Sequence, residues 1–194
     1  MSSNLPPFQP LKFLITLGFI SLFLFNRCNQ STDRDENLNA EHTGQNKSQA
    51  FWNSASSTLQ KITLSDSAIV RNVHWNQELS TLNEKIELSE TQPSQGKSYS
   101  LYLDESDLNF VDIVYHTNDA NKIIQIVFDI YVEDKTEAKK LLEEFEAYFQ
   151  IKYGQKTVTG KQASWLSKNN TQIQMEDVST SKDPGIKLTY SLKD

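Results

Sequence analysis

The chain has 194 residues, of which 37% are hydrophobic and 10% aromatic, enough for one globular domain of ordinary size but not for a second independent core. Its formal charge is -6, and Lys12 and Arg27 are the only charged side chains before Cys28. The acidic remainder disfavours a generic phosphate-binding role, and no nucleic-acid partner is expected.

The first element is the charge-free run from Phe13 to Phe25. As a helix it covers only about 20 Å, against roughly 30 Å of bilayer hydrocarbon. It is short for a permanent span and suits the apolar part of a secretory signal, with Lys12 and the amino terminus as a weakly positive leader. Pro6, Pro7 and Pro10 oppose extending it backwards. Ala-x-Ala cleavage chemistry is absent near Asn26, and Cys28, the only cysteine, follows the run directly.

That placement resembles bacterial lipoproteins, which are cut just before a cysteine whose thiol is acylated. The resemblance implies that Cys28 is the lipidation site and that residues 1–28 are the signal or membrane-anchor segment, cut just before Cys28 or retained whole. A small residue normally precedes the lipoprotein cysteine, and this chain has Phe25-Asn26-Arg27 there. Two readings stay open: an acylated Cys28, or the Phe13–Phe25 segment as an uncleaved anchor. Both place the protein in the bacterial cell envelope, tethered to a membrane and facing out of the cytoplasm.

Residues 29–50 hold only Leu38, Ala40 and Ala50 as apolar side chains, too few to bury a core. They are expected to form a disordered polar tether of about 25 Å r.m.s. span. Beyond it no intramolecular disulfide is available, so stability must come from packing. In the lead-in segment 51–67, Phe51, Trp52, Ala55, Leu59 and Ile62 recur near helical spacing, which suits aromatics packed onto the following domain.

From residue 68 to 194 the pattern is that of an α+β domain. "AIVRNVHW" reads as a strand or extended lead-in and "NQELSTLNEK" as a short helix. "IELSE" and "SYSLYLD" read as strands around the turn "TQPSQGK", followed by "NFVDIVYHT" and "KIIQIVFDIYVED". In the last of these, Ile124, Ile126, Phe128, Ile130 and Val132 share one face and Ile123, Val127 and Tyr131 the other. It is expected to be central and covered on both sides.

The clearest helix is "DKTEAKKLLEEFEAYFQIKYG", with Asp134 as cap, Glu137 at the capping-box position and Gly154 as a left-handed stop. Ala138, Leu141, Leu142, Phe145, Tyr148 and Phe149 form one apolar stripe, which needs a sheet to cover. Strands around "ASWLS", "TQIQMEDV" and "IKLTYSL" follow, separated by the turn signals "KNN" and "STSKDPG". The expected architecture is an antiparallel sheet of about five to seven strands with one long helix on one face.

The Trp75 segment, the strand meander, the Asp-bearing strand, the long helix ending in "KYG" and the terminal Trp-and-Tyr meander together resemble small bacterial envelope lipoproteins of one- or two-repeat α+β build. The likeness covers residues 68–192. It implies a binding or accessory module, inhibitor-like or assembly-factor-like, with an envelope protein or small ligand as partner and no functional residue carried over.

Catalytic chemistry is poorly supplied. "TQPSQGKS" ends like a phosphate-binding loop, but Thr91 stands where the first glycine belongs and a strand follows where a helix is needed. His42, His74 and His116 lack metal-ligand spacing, and "DESD" at 104–107 lacks that of a calcium loop. No nucleophile elbow or zinc-protease helix occurs. Hence no catalytic residue, cofactor or metal site is expected, and a non-enzymatic binding module is the leading reading. The alternative is a hydrolase-like extracytoplasmic enzyme using Asp129, His116 and Glu133 in a cleft.

Overall fold

The computed structural model describes residues 47–193. Cys28, the Phe13–Phe25 run and residues 29–46 of the expected tether lie outside the described residues. The chain is helical over 47–54, which we call α1, so helix begins before Phe51. Helix α2 spans Ser57–Thr63, a 3-10 turn Leu79–Thr81, and the long helix α3 Lys135–Tyr153.

Eight strands form one antiparallel sheet: β1 Glu87–Leu88, β2 Gly96–Tyr102, β3 Phe110–Thr117, β4 Ile123–Tyr131, β5 Thr157–Thr159, β6 Gln162–Leu166, β7 Thr171–Asp177 and β8 Gly185–Leu192. The spatial order is β1-β2-β3-β4-β8-β7-β6-β5. The first half is therefore α1 and α2 followed by a four-strand meander and the second is α3 followed by another, and the two meanders meet where β4 pairs with β8 from Gln125↔Ser191 to Tyr131↔Gly185. The α+β class and the central place of β4 agree with expectation; the strand count is eight rather than five to seven.

The extra strand is β5, paired with β6 around a tight turn in which Gly160 has φ of 62°. Two expected elements are absent. "AIVRNVHW" is a tight turn in which Val70 bridges Val73 and both Arg71 and Asn72 have positive φ, 50° and 62°. "NQELSTLNEK" keeps only the 3-10 turn, because its backbone bonds sideways to the β3–β4 connection. The Leu79 N–H donates to Asn121 O at 3.1 Å, and the Ile123 N–H to Gln77 O at 2.9 Å. A helix would have to give up those bonds.

Helix α3 starts at Asp134, whose carboxylate accepts from the Thr136 N–H, and ends at Gly154, φ 92°, whose N–H donates to Gln150 O at 3.0 Å. Ala138, Leu141, Phe145, Tyr148 and Phe149 are its buried face; Leu142 is half-buried. Phe149 meets Trp165 of β6 edge-on at 5.2 Å and Tyr190 of β8 at 6.1 Å. These ring contacts join the helix to the second meander, and alternation along the strands supplies the rest of the layer: Val111, Ile113 and Tyr115 from β3, and Ile126, Phe128 and Ile130 from β4.

The lead-in helices close the same core. Leu59 and Ile62 of α2 are buried, Phe51 stacks on Tyr148 at 6.2 Å, and Trp52 Nε1 donates to Thr63 Oγ1 at 2.7 Å. No helix among the described residues is long and apolar enough to cross a membrane.

The expected face assignment of β4 needs one correction. The register slips between His116 and Thr117, so His116 faces Gln125 and Thr117 faces Ile123, leaving Ile124 as the extra residue of a bulge. Ile123 consequently joins the buried side, and Ile124 is only half-buried. The second correction concerns cover. The face opposite the helices is not sealed: of the β4 residues on it, Gln125, Asp129 and Tyr131 are half-exposed and Val127 alone is buried.

Candidate functional site

Side chains of that open face fall into rows that run across the strands, because directly paired residues project to the same side. One row is aromatic. Tyr102 pairs with Phe110 and Phe110 with Tyr131, the ring centroids lying 6.4 and 4.9 Å apart, the second pair stacked. Tyr102 is 45% exposed, so the row offers ring surface to solvent. Burial raises the Tyr131 hydroxyl above its ordinary pKa, with the charges of Asp129, Asp112 and Asp183 adding to it, so it stays a neutral donor at physiological pH.

The adjacent row is charged. Ser100 pairs with Asp112, Asp112 with Asp129, Asp129 with Lys187, and Lys187 with Glu176. Asp112 and Asp129 thus stand directly opposite one another, with Cβ atoms about 4.5–5.5 Å apart for such a pair, an arrangement that costs stability when both are ionised. Asp129 Oδ1 is 3.4 Å from Lys187 Nζ, in a pair that is 30% and 44% exposed and so contributes little. Asp112 Oδ1 accepts from Ser100 Oγ at 2.8 Å. The second oxygen of each carboxylate has no partner among the described residues.

One end of the two rows is walled by the β1–β2 connection. Gln92 clamps it: its Nε2 donates to Ser89 O at 2.7 Å and Ser98 O at 3.0 Å, and its Oε1 accepts the Ser98 N–H at 3.0 Å. Hydroxyls then lead inward, Ser98 Oγ to Ser89 Oγ at 3.1 Å and Ser89 Oγ to Ser100 Oγ at 3.0 Å, ending on Asp112. Gly96 makes this wall possible. At φ 131° an added Cβ would lie 1.9 Å from Tyr115 O, so the strand enters the sheet at a spacing only glycine permits.

Between wall and sheet lies an open cleft of about 630 Å³. Glu90, Asp107, Asp112 and Asp129 bring four carboxylates to it, and Tyr102 and Phe110 bring ring surface; among the described residues no Lys or Arg lines it.

The residues considered for the alternative enzyme are dispersed. His116 is on the same face as Asp129, but its row is four residues of β3 away, roughly 13 Å. Glu133 follows β4 and is exposed. "TQPSQGK" is the hairpin connection it was read to be, and in "DESD" Asp104 serves the turn itself, accepting from the Ser106 N–H at 2.8 Å and from Asn109 Nδ2 at 2.7 Å. Among the described residues no group of three or more His, Cys, Asp and Glu could hold a metal ion.

Two buried charged clusters among the described residues lie outside this face, and both tie elements of the fold together. Arg71 donates from Nε and Nη2 to the two oxygens of Glu84, each at 2.7 Å, and from Nη1 to Lys61 O and Ile62 O at the end of α2. Asp66 accepts from Tyr148 Oη at 2.6 Å and Ser48 Oγ at 2.7 Å and pairs with Lys152 at 3.0 Å. Sequence reasoning missed the aromatic and carboxylate rows because each is assembled from single residues on different strands; only the alternation in "SYSLYLD", "NFVDIVYHT" and "KIIQIVFDIYVED" could have placed them on one side. No family model matches the chain, and no curated protein or solved structure matches it.

Proposed function

We propose that the protein is a membrane-tethered, extracytoplasmic binding module that presents the open face of its sheet to a partner in the bacterial envelope. The observation that carries this reading is the pairing of half-exposed aromatic and carboxylate rows on a rigid eight-stranded platform. Concave or flat surfaces with aromatic anchors beside unsatisfied polar groups are what protein recognition uses. The tether half of the proposal rests on the Phe13–Phe25 run ending near Cys28 and on the polar composition of the residues after it.

The two halves have separate tests. Mature protein from the native host should begin at Cys28 and carry acyl mass, and Cys28→Ser should block cleavage; multiple acyl chains anchor stably where one holds marginally. An intact chain with a free thiol transfers the anchor to Phe13–Phe25. A soluble product without lipid, beginning far from Cys28, overturns the tether. For the face, a photo-crosslinking residue at Thr189 should capture an envelope protein that the same residue at Lys140 on α3 does not. The purified complex should then protect Asp112 and Asp129 from carbodiimide labelling while Glu143 stays reactive. Protection confined to α3 overturns the binding-face reading.

A further inference from the structure

Resting on that reading of the open face, we infer that its occupant is an arginine-bearing segment of a partner protein, with a guanidinium seated between the aromatic row and the opposed carboxylates Asp112 and Asp129. Charge sets the sign: among the described residues four carboxylates and no cationic side chain line the cleft. Geometry sets the species. A planar guanidinium can stack on an aromatic face while its edge donates two parallel hydrogen bonds to carboxylate oxygens, whereas an ammonium, though also attracted to a ring face, is a compact point charge without that fork geometry. Phe110 stacks on Tyr131 in one row, and in the next Asp112 and Asp129 each keep an oxygen without a partner among the described residues.

The site is held ready for such a cation. Asp112 is fixed by Ser100 and, through it, by the hydroxyls of Ser89 and Ser98 in the clamped wall. Preorganisation of this kind lowers the ordering cost of binding. The like-charge opposition of Asp112 and Asp129 gives the free protein an unfavourable contact that a bound cation relieves, so binding the cation and stabilising the sheet are coupled. Lys187 already serves Asp129 from the far side, at 3.4 Å, and is thereby the guanidinium's competitor.

The test is fluorescence polarisation of a labelled tri-arginine peptide and its tri-lysine counterpart against the full chain in micelles of neutral detergent. The arginine peptide should bind about tenfold more tightly than the lysine peptide. Asp112→Asn with Asp129→Asn should weaken it by about tenfold or more, while the charge-matched pair Glu137→Gln with Glu143→Gln on α3 changes it less than about twofold. Lys187→Gln should strengthen binding, an opposite sign that a misfolded variant does not produce. Equal binding of the two peptides, or equal weakening by the two paired variants, overturns the inference, since either marks general attraction to an acidic protein. If the peptide shows no arginine preference while the partner still protects Asp112 and Asp129 from labelling, the arginine occupant falls and the binding face stands; if that protection is lost as well, both fall.

Discussion

Arg71 and Glu84 have side chains only 3% exposed, and their bidentate pair ties the end of α2 to the segment before β1, with Tyr115 donating to the same carboxylate from β3. Removing one member strands the other charge. Arg71→Met is expected to cost about 3–5 kcal/mol in urea denaturation, and adding Glu84→Met should recover much of that loss, because a buried pair is worth little more than apolar groups of similar volume. The tyrosines give a pH signature. Tyr115, Tyr148, Tyr153 and Tyr190 are all held above the ordinary value of 10.0, first by burial and then by neighbours such as Glu84 and Asp66. A folded pKa raised above the unfolded one gives stability that is whole below pH 10 and lost as pH rises from there toward the folded values. Lys152 acts oppositely: burial lowers its pKa against the pull of Asp66, so its contribution improves as pH approaches 10.5. Four groups outweigh one, and the urea midpoint is expected to hold to about pH 9.5 and fall steeply above pH 10. Tyr148→Phe should make that fall shallower.

At the scale of elements, α3 is the best test of the packing, since its buried face meets β6 and β8 through Phe149 and α1 through Tyr148. Phe145 is fully buried and stacks on Phe149 at 5.6 Å. Phe145→Ala is expected to cost about 3–5 kcal/mol, read from the denaturation midpoint. Gly96→Ala should lower stability too, by at least about 1–3 kcal/mol, because neither φ of 131° nor the gap to Tyr115 O admits a Cβ. What was legible in the sequence follows the same physics. Helix α3 carried its cap, stripe and stop within one stretch, and β4 and β8 their apolar runs; local signals sufficed. The segment 76–85 was misread because partners far along the chain decide it: Asn121 and Ile123 take the backbone bonds a helix would have kept, whereas 68–75 closes on itself in the Val70–Val73 turn, where Arg71 and Asn72 have positive φ. β5 escaped notice for want of length, three exposed residues beside the Gly160 turn. The face of Asp129 was legible from alternation, but its neighbour Asp112 was not, since register between strands is not written in either strand alone.

For the whole molecule, every helix named above packs within residues 47–193, and with one cysteine in the chain no intramolecular disulfide ties the buried residues together. A fragment beginning at residue 44 is expected to fold alone, with a cooperative urea transition and the same midpoint as the full chain. A midpoint lower by more than about 1 kcal/mol equivalent would mean that residues before 44 contribute packing. The two-meander plan also fixes when folding can finish. β4, among the most apolar strands, has β3 on one side from early on, but its other neighbour is β8, the last strand in chain order, some sixty residues later. At about 5–20 residues per second of synthesis, the hydrogen-bonding edge of β4 waits roughly 3–12 seconds for its partner. During that interval an unfinished chain presents Ile126, Phe128 and Ile130 on an open edge, the kind of template on which strands of other molecules add. A released chain truncated before residue 185 should therefore need a chaperone to stay unaggregated, whereas one that carries β8 through residue 192 should not.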